Sequence, residues 1–337
     1  MTDVMQPVPK LILPQDYIKQ ATEQIKKATN RVSILTMVLE HDSATDTLID
    51  ALCDAAERGV TVSVAADTFT YTEFQGSYIP TTYRNKRVRD AMTLQKRFEK
   101  AGVHFQWLGR LSMIAFTGRT HIKWCVVDDT VYSFGGVNIN LQSVNNTDYM
   151  FSVENEALAS RIVAEQERIL RADKSGHAYR SHRFGDDDNM VLLDGGFLGD
   201  SIIYRRACYW AERSKHVLLV SQYCPTGKLS RLLKKVDNDL YFNHWTHAAD
   251  KNPGVFNRLV IQVGMLTSRH KTSYDRSAYL HAKFIIFTLQ DGSKVAITGS
   301  HNFVHAGVFL GTREVALEST NKKIISQLEH FFKKHVK

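Results

Sequence analysis

Two stretches of this sequence, THIKWCVVDDTVYSFGGVNIN at 120–140 and YLHAKFIIF at 279–287, each carry a His and a Lys two residues apart. In extended backbone, residues i and i+2 face the same side. His121 therefore projects with Lys123, and His281 with Lys283, while Ile122 and Ala282 turn toward packing. Behind each pair comes a second element, Gly135-Gly136-x-Asn138 in the first copy and Gly299-Ser300-x-Asn302 in the second. Glycines let a neighbouring backbone approach closely, and the two Asn amides can donate N–H groups to an oxyanion. Lys123 precedes Gly135 by 12 residues and Lys283 precedes Gly299 by 16. The surplus falls at TLQDGSKV, where Asp291-Gly292 signals a hairpin turn, so both ends can keep their places. An acid follows each copy, Asp148 ten residues beyond Asn138 and Glu314 twelve beyond Asn302. One His-x-Lys alone is commonly incidental. Two copies face to face would put two imidazoles, two ammoniums and two amides around one pocket. Such a pocket suits a phosphodiester: the cations and amides hold the non-bridging oxygens. One neutral His attacks phosphorus and the other, protonated, serves the leaving and accepting oxygens.

The elements that must position these groups repeat as well. The first half reads as helix 17–28, strand 31–39, helix 44–59 with a Gly stop, strand 60–67, a polar Tyr- and Arg-rich loop 68–87, helix 88–101, strand 103–108, the first motif, and a long helix 154–172. Residues 173–189, DKSGHAYRSHRFGDDDN, have no apolar period and read as a linker. The order then restarts with helix 198–213, strand 216–223, helix 227–236, strand 258–266, strand 279–287 and a final helix 322–336. The expected fold is α/β: a duplicated unit of two mixed sheets flanked by helices with pseudo-twofold symmetry. The expected organisation is a first half at 1–172 with its motif at 121–138, a linker at 173–189, and a second half at 190–337 with its motif at 281–302. The final helix has Ile325, Leu328, Phe332 and Val336 near helical spacing and reads as core rather than as a membrane-binding face.

Both motifs resemble the HKD signature of the phospholipase D superfamily, and the duplicated layout covers nearly the whole chain. The resemblance implies catalysis through a covalent phosphohistidine with no metal and no cofactor, at a site on the pseudo-twofold axis. It implies His121 as nucleophile and His281 as general acid and base, with the reverse assignment left open. It also implies that Asp148 and Glu314 orient the imidazoles. The second copy has Thr288 where the first has Asp128, so Asp128 reads as a structural group. His301 and His305, close to the second motif, read as shaping the pocket rim. His182, His244, His247 and His270 lie without metal-ligand spacing.

YSFGGVNIN is similar to the run found in bacterial cardiolipin synthases, and QYCPTGKLSRLL at 222–233 resembles another of their segments. This implies a phosphatidyltransferase or phospholipase D acting on glycerophospholipids at an anionic membrane surface. The alternative is a phospholipase D-type nuclease or DNA-end-processing phosphodiesterase, with nucleic acid as partner. The net charge of +8 in 337 residues fits any anionic partner and does not choose among them. The basic run YRNKRVRD at 83–90 reads chiefly as a solvated loop and helix start. Cys53, Cys125, Cys208 and Cys224 lie far apart, with no CxxC pair, and read as reduced structural thiols. No apolar run approaches the roughly 20 residues that span a bilayer, and the N-terminus has no secretory pattern. The expectation is a cytoplasmic protein, peripheral at the inner membrane face, monomeric, with its two halves forming an internal pseudo-dimer.

Overall fold

A computed structural model describes residues 7–72, 86–109, 118–245 and 255–337. The first half contains β1 (Lys10–Ile12), α1 (Pro14–Lys27), β2 (Arg31–Thr36), α2 (Asp46–Glu57), β3 (Thr61–Asp67), α3 (Phe69–Thr72), α4 (Lys86–Ala101), β4 (His104–Leu108), β5 (Trp124–Val127), β6 (Thr130–Ser133), α5 (Leu141–Val144), β7 (Met150–Glu154) and α6 (Glu156–Lys174). The second contains β8 (His182–Gly185), β9 (Asn189–Gly195), α7 (Ile202–Ala211), β10 (Ser214–Val220), α8 (Gly227–Leu233), β11 (Asp237–Tyr241), α9 (Val255–Ser268), β12 (Phe284–Leu289), β13 (Lys294–Gly299), α10 (His305–Leu310), β14 (Arg313–Ser319) and α11 (Lys322–Phe331), which ends in a π-turn at Phe332–Val336.

Each half builds one seven-stranded mixed sheet, in the orders β1-β7-β6-β5-β2-β3-β4 and β11-β10-β12-β13-β14-β9-β8. The expected α/β duplication is what the chain adopts. The parallel pair β2/β3 corresponds to β10/β11, and the antiparallel run β2-β5-β6-β7-β1 to β10-β12-β13-β14-β9. Among the described residues only the outermost strands differ: β4 has no partner element in the second sheet, and β8 has none in the first.

The central strands are apolar on both faces because both faces are covered. Along β5, Trp124 and Val126 join the core between the sheets while Cys125 and Val127 join the outer layer under α1, α2 and α4. Along β12, Phe284 and Ile286 face inward, and Ile285 and Phe287 face the layer under α7 and α8. The inner core contains residues of both sheets together with Leu158, Ile162 and Ile169 of α6 and Ile324, Ile325, Leu328 and Phe331 of α11. The two halves thus share one core, and the last helix is packed into it; Phe332 lies at its edge and Val336 is buried.

Four readings from the sequence change. The apolar run 258–266 lies in helix α9, not in a strand; a short apolar run fits either period, and only its neighbours decide. The strand beside it is instead DNDLY, β11, which pairs in parallel with β10 although Asp and Asn are poor strand formers. The stretch 173–189 is not an irregular linker: it holds the end of α6 and strand β8, which pairs with β9 at the sheet edge. Finally, His121, Lys123, His281 and Lys283 lie in extended segments just ahead of β5 and β12 rather than within their ladders. Of the basic run, 83–85 lies outside the described residues and 86–90 opens α4; His247 also lies outside.

Candidate active site

The strand alternation still holds in the extended segments: Ile122 and Ala282 are in the core, and His121, Lys123, His281 and Lys283 line a single cleft together with Asn138 and Asn302. The cleft has a volume of about 100 Å³.

Each motif segment is held by the other half of the chain. The backbone N–H of His121 donates to the carbonyl of Arg313 (2.8 Å), and that of Arg313 donates to Arg119 (2.8 Å). In the second copy, His281 N–H donates to the carbonyl of Thr147 (3.0 Å), and Thr147 N–H donates to Tyr279 (2.9 Å). Short parallel bridges Thr120–Arg313 and Thr147–Leu280 result. Since Glu314 follows Arg313 and Asp148 follows Thr147, the acids reach the imidazoles crosswise. Nδ1 of His121 is 3.1 Å from Oε1 of Glu314, and Nδ1 of His281 is 2.6 Å from Oδ2 of Asp148. Neither site is complete within one half.

The two acids differ in length, and the chain compensates. A Cβ added at Gly136 would lie 2.5 Å from Oδ2 of Asp148 and 3.0 Å from the carbonyl of His281, so only glycine fits, and its N–H donates to Asp148 (3.2 Å). In the other half the longer Glu314 leaves room for Ser300, whose hydroxyl donates to its Oε2. Gly135 and Gly299 are equivalent: a Cβ there would come within 1.9 Å of the Tyr149 carbonyl or 2.2 Å of the Val315 carbonyl.

The lysines fold back toward their own motifs. Nζ of Lys123 donates to the carbonyl of His121 (2.7 Å), and Lys283 makes the same bond to His281. Oδ1 of Asn138 accepts from the N–H of Val38 (3.3 Å), which leaves its amide N–H groups as donors. Oδ1 of Asn302 is buried and has no hydrogen-bond partner among the described residues.

Burial sets the charges. Burial, and then the neighbouring Lys283, push His281 down to about 4 against the pull of Asp148. Lys283 is lowered to about 7 by burial, and Lys123 is lowered for the same reason. Burial would raise Glu314, but the His121 partner, with His301 and Lys123 beside it, outweighs that and brings it to about 2. Asp148 is lowered, its burial outweighed by the hydrogen bond and charge of His281 and by Lys283. The cleft therefore sets two ionised acids beside His281, Lys123 and Lys283, whose protons burial has loosened.

The remaining sequence candidates divide clearly. Asp128 is far from this chemistry in role: in a left-handed turn (φ 48°), its carboxylate accepts from the N–H groups of Asn30 and Arg31 (both 2.9 Å) and Thr29 (3.1 Å). Thr288 sits in β12 opposite His216 and Lys294. His301 is buried rather than at a rim; its Nδ1 accepts from the N–H of Phe303 (2.8 Å), and burial pushes it down to about 4. His305 is exposed at the start of α10. His182 bonds Glu165 (3.0 Å) and His270 bonds Ser230 (3.1 Å). Among the described residues no cluster of metal-ligating side chains occurs. All four cysteines are buried and unpaired.

Sequence reading missed the residues that hold the motif segments from behind. Asp67, at the end of β3, accepts the N–H of Thr120 (2.8 Å) and pairs with the buried Arg119 (2.8 Å). At the matching place after β11, Asn243 accepts the N–H of Leu280 (3.0 Å) and donates to its carbonyl (2.7 Å). Both residues fasten the backbone immediately before a motif histidine. Only the alignment of the two sheets, not residue spacing, makes them equivalent. Gln222 and Tyr223, in a segment the sequence marks only by its family likeness, and Tyr279 also stand on the cleft wall.

The fold and the site together define a duplicated α/β sandwich with one composite centre made by both halves. A family model described as "Cardiolipin synthase, PLD-like domain" matches residues 21–170. Across 99% of this chain and 88% of its own, phosphatidylserine synthase from Haemophilus influenzae Rd KW20 has the same fold, at 14% identity and a TM-score of 0.74. Polyphosphate kinase from Porphyromonas gingivalis shares it over 97% of this chain and 50% of its own, at 13% identity and a TM-score of 0.63. No protein of curated function matches the sequence. Residues 21–170 therefore resemble a phospholipase D-like domain, and the chain as a whole has the fold of these two structures. Among the described residues no helix is long and apolar enough to cross a membrane.

Proposed function

We propose that this protein transfers or hydrolyses the phosphodiester of glycerophospholipids through a phosphohistidine, as a cardiolipin synthase-like phosphatidyltransferase or a phospholipase D working at an anionic membrane surface. The observation that carries the reading is the crosswise pairing of His121 with Glu314 and His281 with Asp148 around a cleft holding both lysines and both asparagines. The likeness of residues 21–170 to a cardiolipin synthase domain supports the lipid substrate.

With each Nδ1 taken by a carboxylate, Nε2 is the nitrogen left for chemistry on both rings. Nε2 of His121 attacks phosphorus; the bond from phosphorus to the alcohol oxygen breaks, and that oxygen takes the proton from Nε2 of His281. A phosphatidyl group bonded to His121 remains. The hydroxyl of an acceptor then gives its proton to His281 as its oxygen attacks phosphorus, and the phosphorus–nitrogen bond breaks. Lys123, Lys283 and the amides of Asn138 and Asn302 hold the non-bridging oxygens as charge develops.

His281 is a bare imidazole near neutrality, so binding of the phosphodiester anion must draw a proton from solvent onto the site. An anion raises the proton affinity of both His281 and Lys283. Sulfate, which does not titrate near neutrality, should therefore bind with proton uptake at about pH 7 and more weakly as the pH rises through the Lys283 value of about 7. Calorimetry in two buffers of different ionisation enthalpy measures the uptake. An affinity constant between about pH 6 and 8 would contradict it.

The function itself is tested by incubating the protein with phosphatidylglycerol vesicles, with and without glycerol, and following the lipids by mass spectrometry. Formation of cardiolipin or phosphatidic acid with release of glycerol is the expected result. Metal-independent DNA cleavage without any phospholipid turnover would replace this reading with the nuclease one.

A further inference from the structure

The two walls of the cleft are related by the pseudo-twofold axis, yet their chemistry differs at equivalent positions beside the motif segments. Leu35 pairs with Trp124 and Val220 with Phe284, the residues that follow Lys123 and Lys283. Met37 and Val38 therefore occupy the places that Gln222 and Tyr223 occupy in the second half. At these places the first-half wall presents Met37 and Val38, with Phe69 beside them, and the polar Asn140, Gln142 and Ser143 line the cleft from the same half. The second-half wall presents Gln222, Tyr223 and Tyr279, and it is organised: Nε2 of Gln222 donates to the hydroxyls of Tyr223 (3.1 Å) and Tyr279 (3.0 Å). The backbone carbonyl of Gln222 is held in turn by Nδ2 of Asn243 (3.0 Å). The bridge between Thr147 and Leu280 sets the polar residue Asn146 of the cleft lining next to this same side.

We propose that the cleft is directional: Gln222, Tyr223 and Tyr279 form the subsite for a neutral, hydroxylated headgroup alcohol, and Met37, Val38 and Phe69 take the apolar glyceride side of the same phosphodiester. This deepens the phospholipid reading above and rests on it. A phosphodiester of a lipid is itself lopsided, with a polyol on one oxygen and an acyl-bearing glycerol on the other, and the orientation that sets the polyol against Gln222 and Tyr223 places the glyceride beside Met37, Val38 and Phe69. The alcohol then leaves on the His281 side, which places His281 as the acid toward it and His121 opposite. Among the described lining residues there is no carboxylate, and the ammonium groups are those of Lys123 and Lys283. An ammonium headgroup would meet like charge with no counterion, whereas a polyol meets an amide and two phenols.

The experiment uses the full chain and mixed vesicles containing phosphatidylglycerol, phosphatidylethanolamine and phosphatidylcholine, and reads the release of each headgroup. The wild type should release glycerol at least about tenfold faster than ethanolamine or choline. Gln222→Ala and the milder Tyr279→Phe should each reduce that selectivity ratio, by about tenfold for Gln222→Ala, and Gln222→Glu should shift it toward ethanolamine. Equal release of ethanolamine or choline by the wild type, the latter showing that the phenols take a quaternary ammonium by its charge, overturns the directional cleft. A ratio that does not move in Tyr279→Phe and Gln222→Ala overturns it as well, with the phospholipid reading intact. Cleavage of bis(p-nitrophenyl) phosphate by a wild type that releases no headgroup refutes the phospholipid reading, and this inference falls with it.

Discussion

Replacing His121 with alanine should lower phospholipid turnover by at least about 10⁴-fold and abolish covalent labelling of the protein by a phosphorus-labelled substrate. The loss has no local rescue: among the cleft residues, the other imidazole, His281, is held by Asp148 at 2.6 Å across the site and belongs to the opposite motif. Replacing His281 with alanine should cost about 10²–10⁴-fold, the usual worth of a general acid, and its signature should be different. A diester that leaves as nitrophenolate needs no proton, so His281→Ala should form the labelled intermediate from it at a nearly undiminished rate. The second step then lacks a base, and the label should accumulate instead of turning over. His121→Ala should show neither recovery nor label with the same diester. The mirror pattern would exchange the two roles, and normal turnover in both variants would reject the phosphohistidine route altogether. Quenched-flow labelling of the two variants, with the lipid and the nitrophenyl diester in parallel, separates these outcomes.

What the sequence makes legible here is decided by repetition. His121, Lys123, Gly135 and Asn138 are informative because His281, Lys283, Gly299 and Asn302 repeat them, and the fold follows because the flanking elements repeat with them. The hairpin at Asp291-Gly292 is readable for the same reason: its surplus residues lie between two matched strands. Where the halves diverge, legibility ends. β11 has no apolar period, and its pairing with β10 is fixed by the sheet rather than by DNDLY itself. The run 258–266 satisfies a strand pattern and is a helix. Asp67 and Asn243 do the same work with different side chains, one as a carboxylate balanced by Arg119 and the other as an amide, so no residue pattern links them. The crosswise reach of Glu314 to His121 and of Asp148 to His281 is likewise a property of the assembled halves. Spacing along the chain records which residues travel together, not which half they will serve.

Replacing Lys283 with methionine should inactivate the enzyme and at the same time make it more stable. Lys283 is 1% exposed, and its proton affinity falls from an ordinary lysine value to about 7 because burial penalises the ammonium more than Asp148 and Glu314 support it. The folded value lies below the unfolded one, so the charged side chain opposes folding. That cost is full below about pH 7, where the lysine is protonated in both states. It fades as the pH rises toward the unfolded value of roughly 10.4, because in that window the unfolded chain holds a proton that the folded one has released. Methionine fills a similar volume without a charge, and it removes the desolvation cost that the lowered proton affinity of Lys283 records. For a chain of this size, a rise of about 3–8 °C in melting temperature is expected at pH 6–7 and a smaller one at about pH 9. Turnover should meanwhile fall by about 10²–10³-fold as one holder of the phosphate oxygens is lost. Calorimetric melting of wild type and variant at the two pH values, beside a lipid assay, checks both halves of the expectation. An inactive variant that is also destabilised would mean that Lys283 supports the fold through its bond to the His281 carbonyl. A more stable but inactive one would show that the site is kept at the expense of stability.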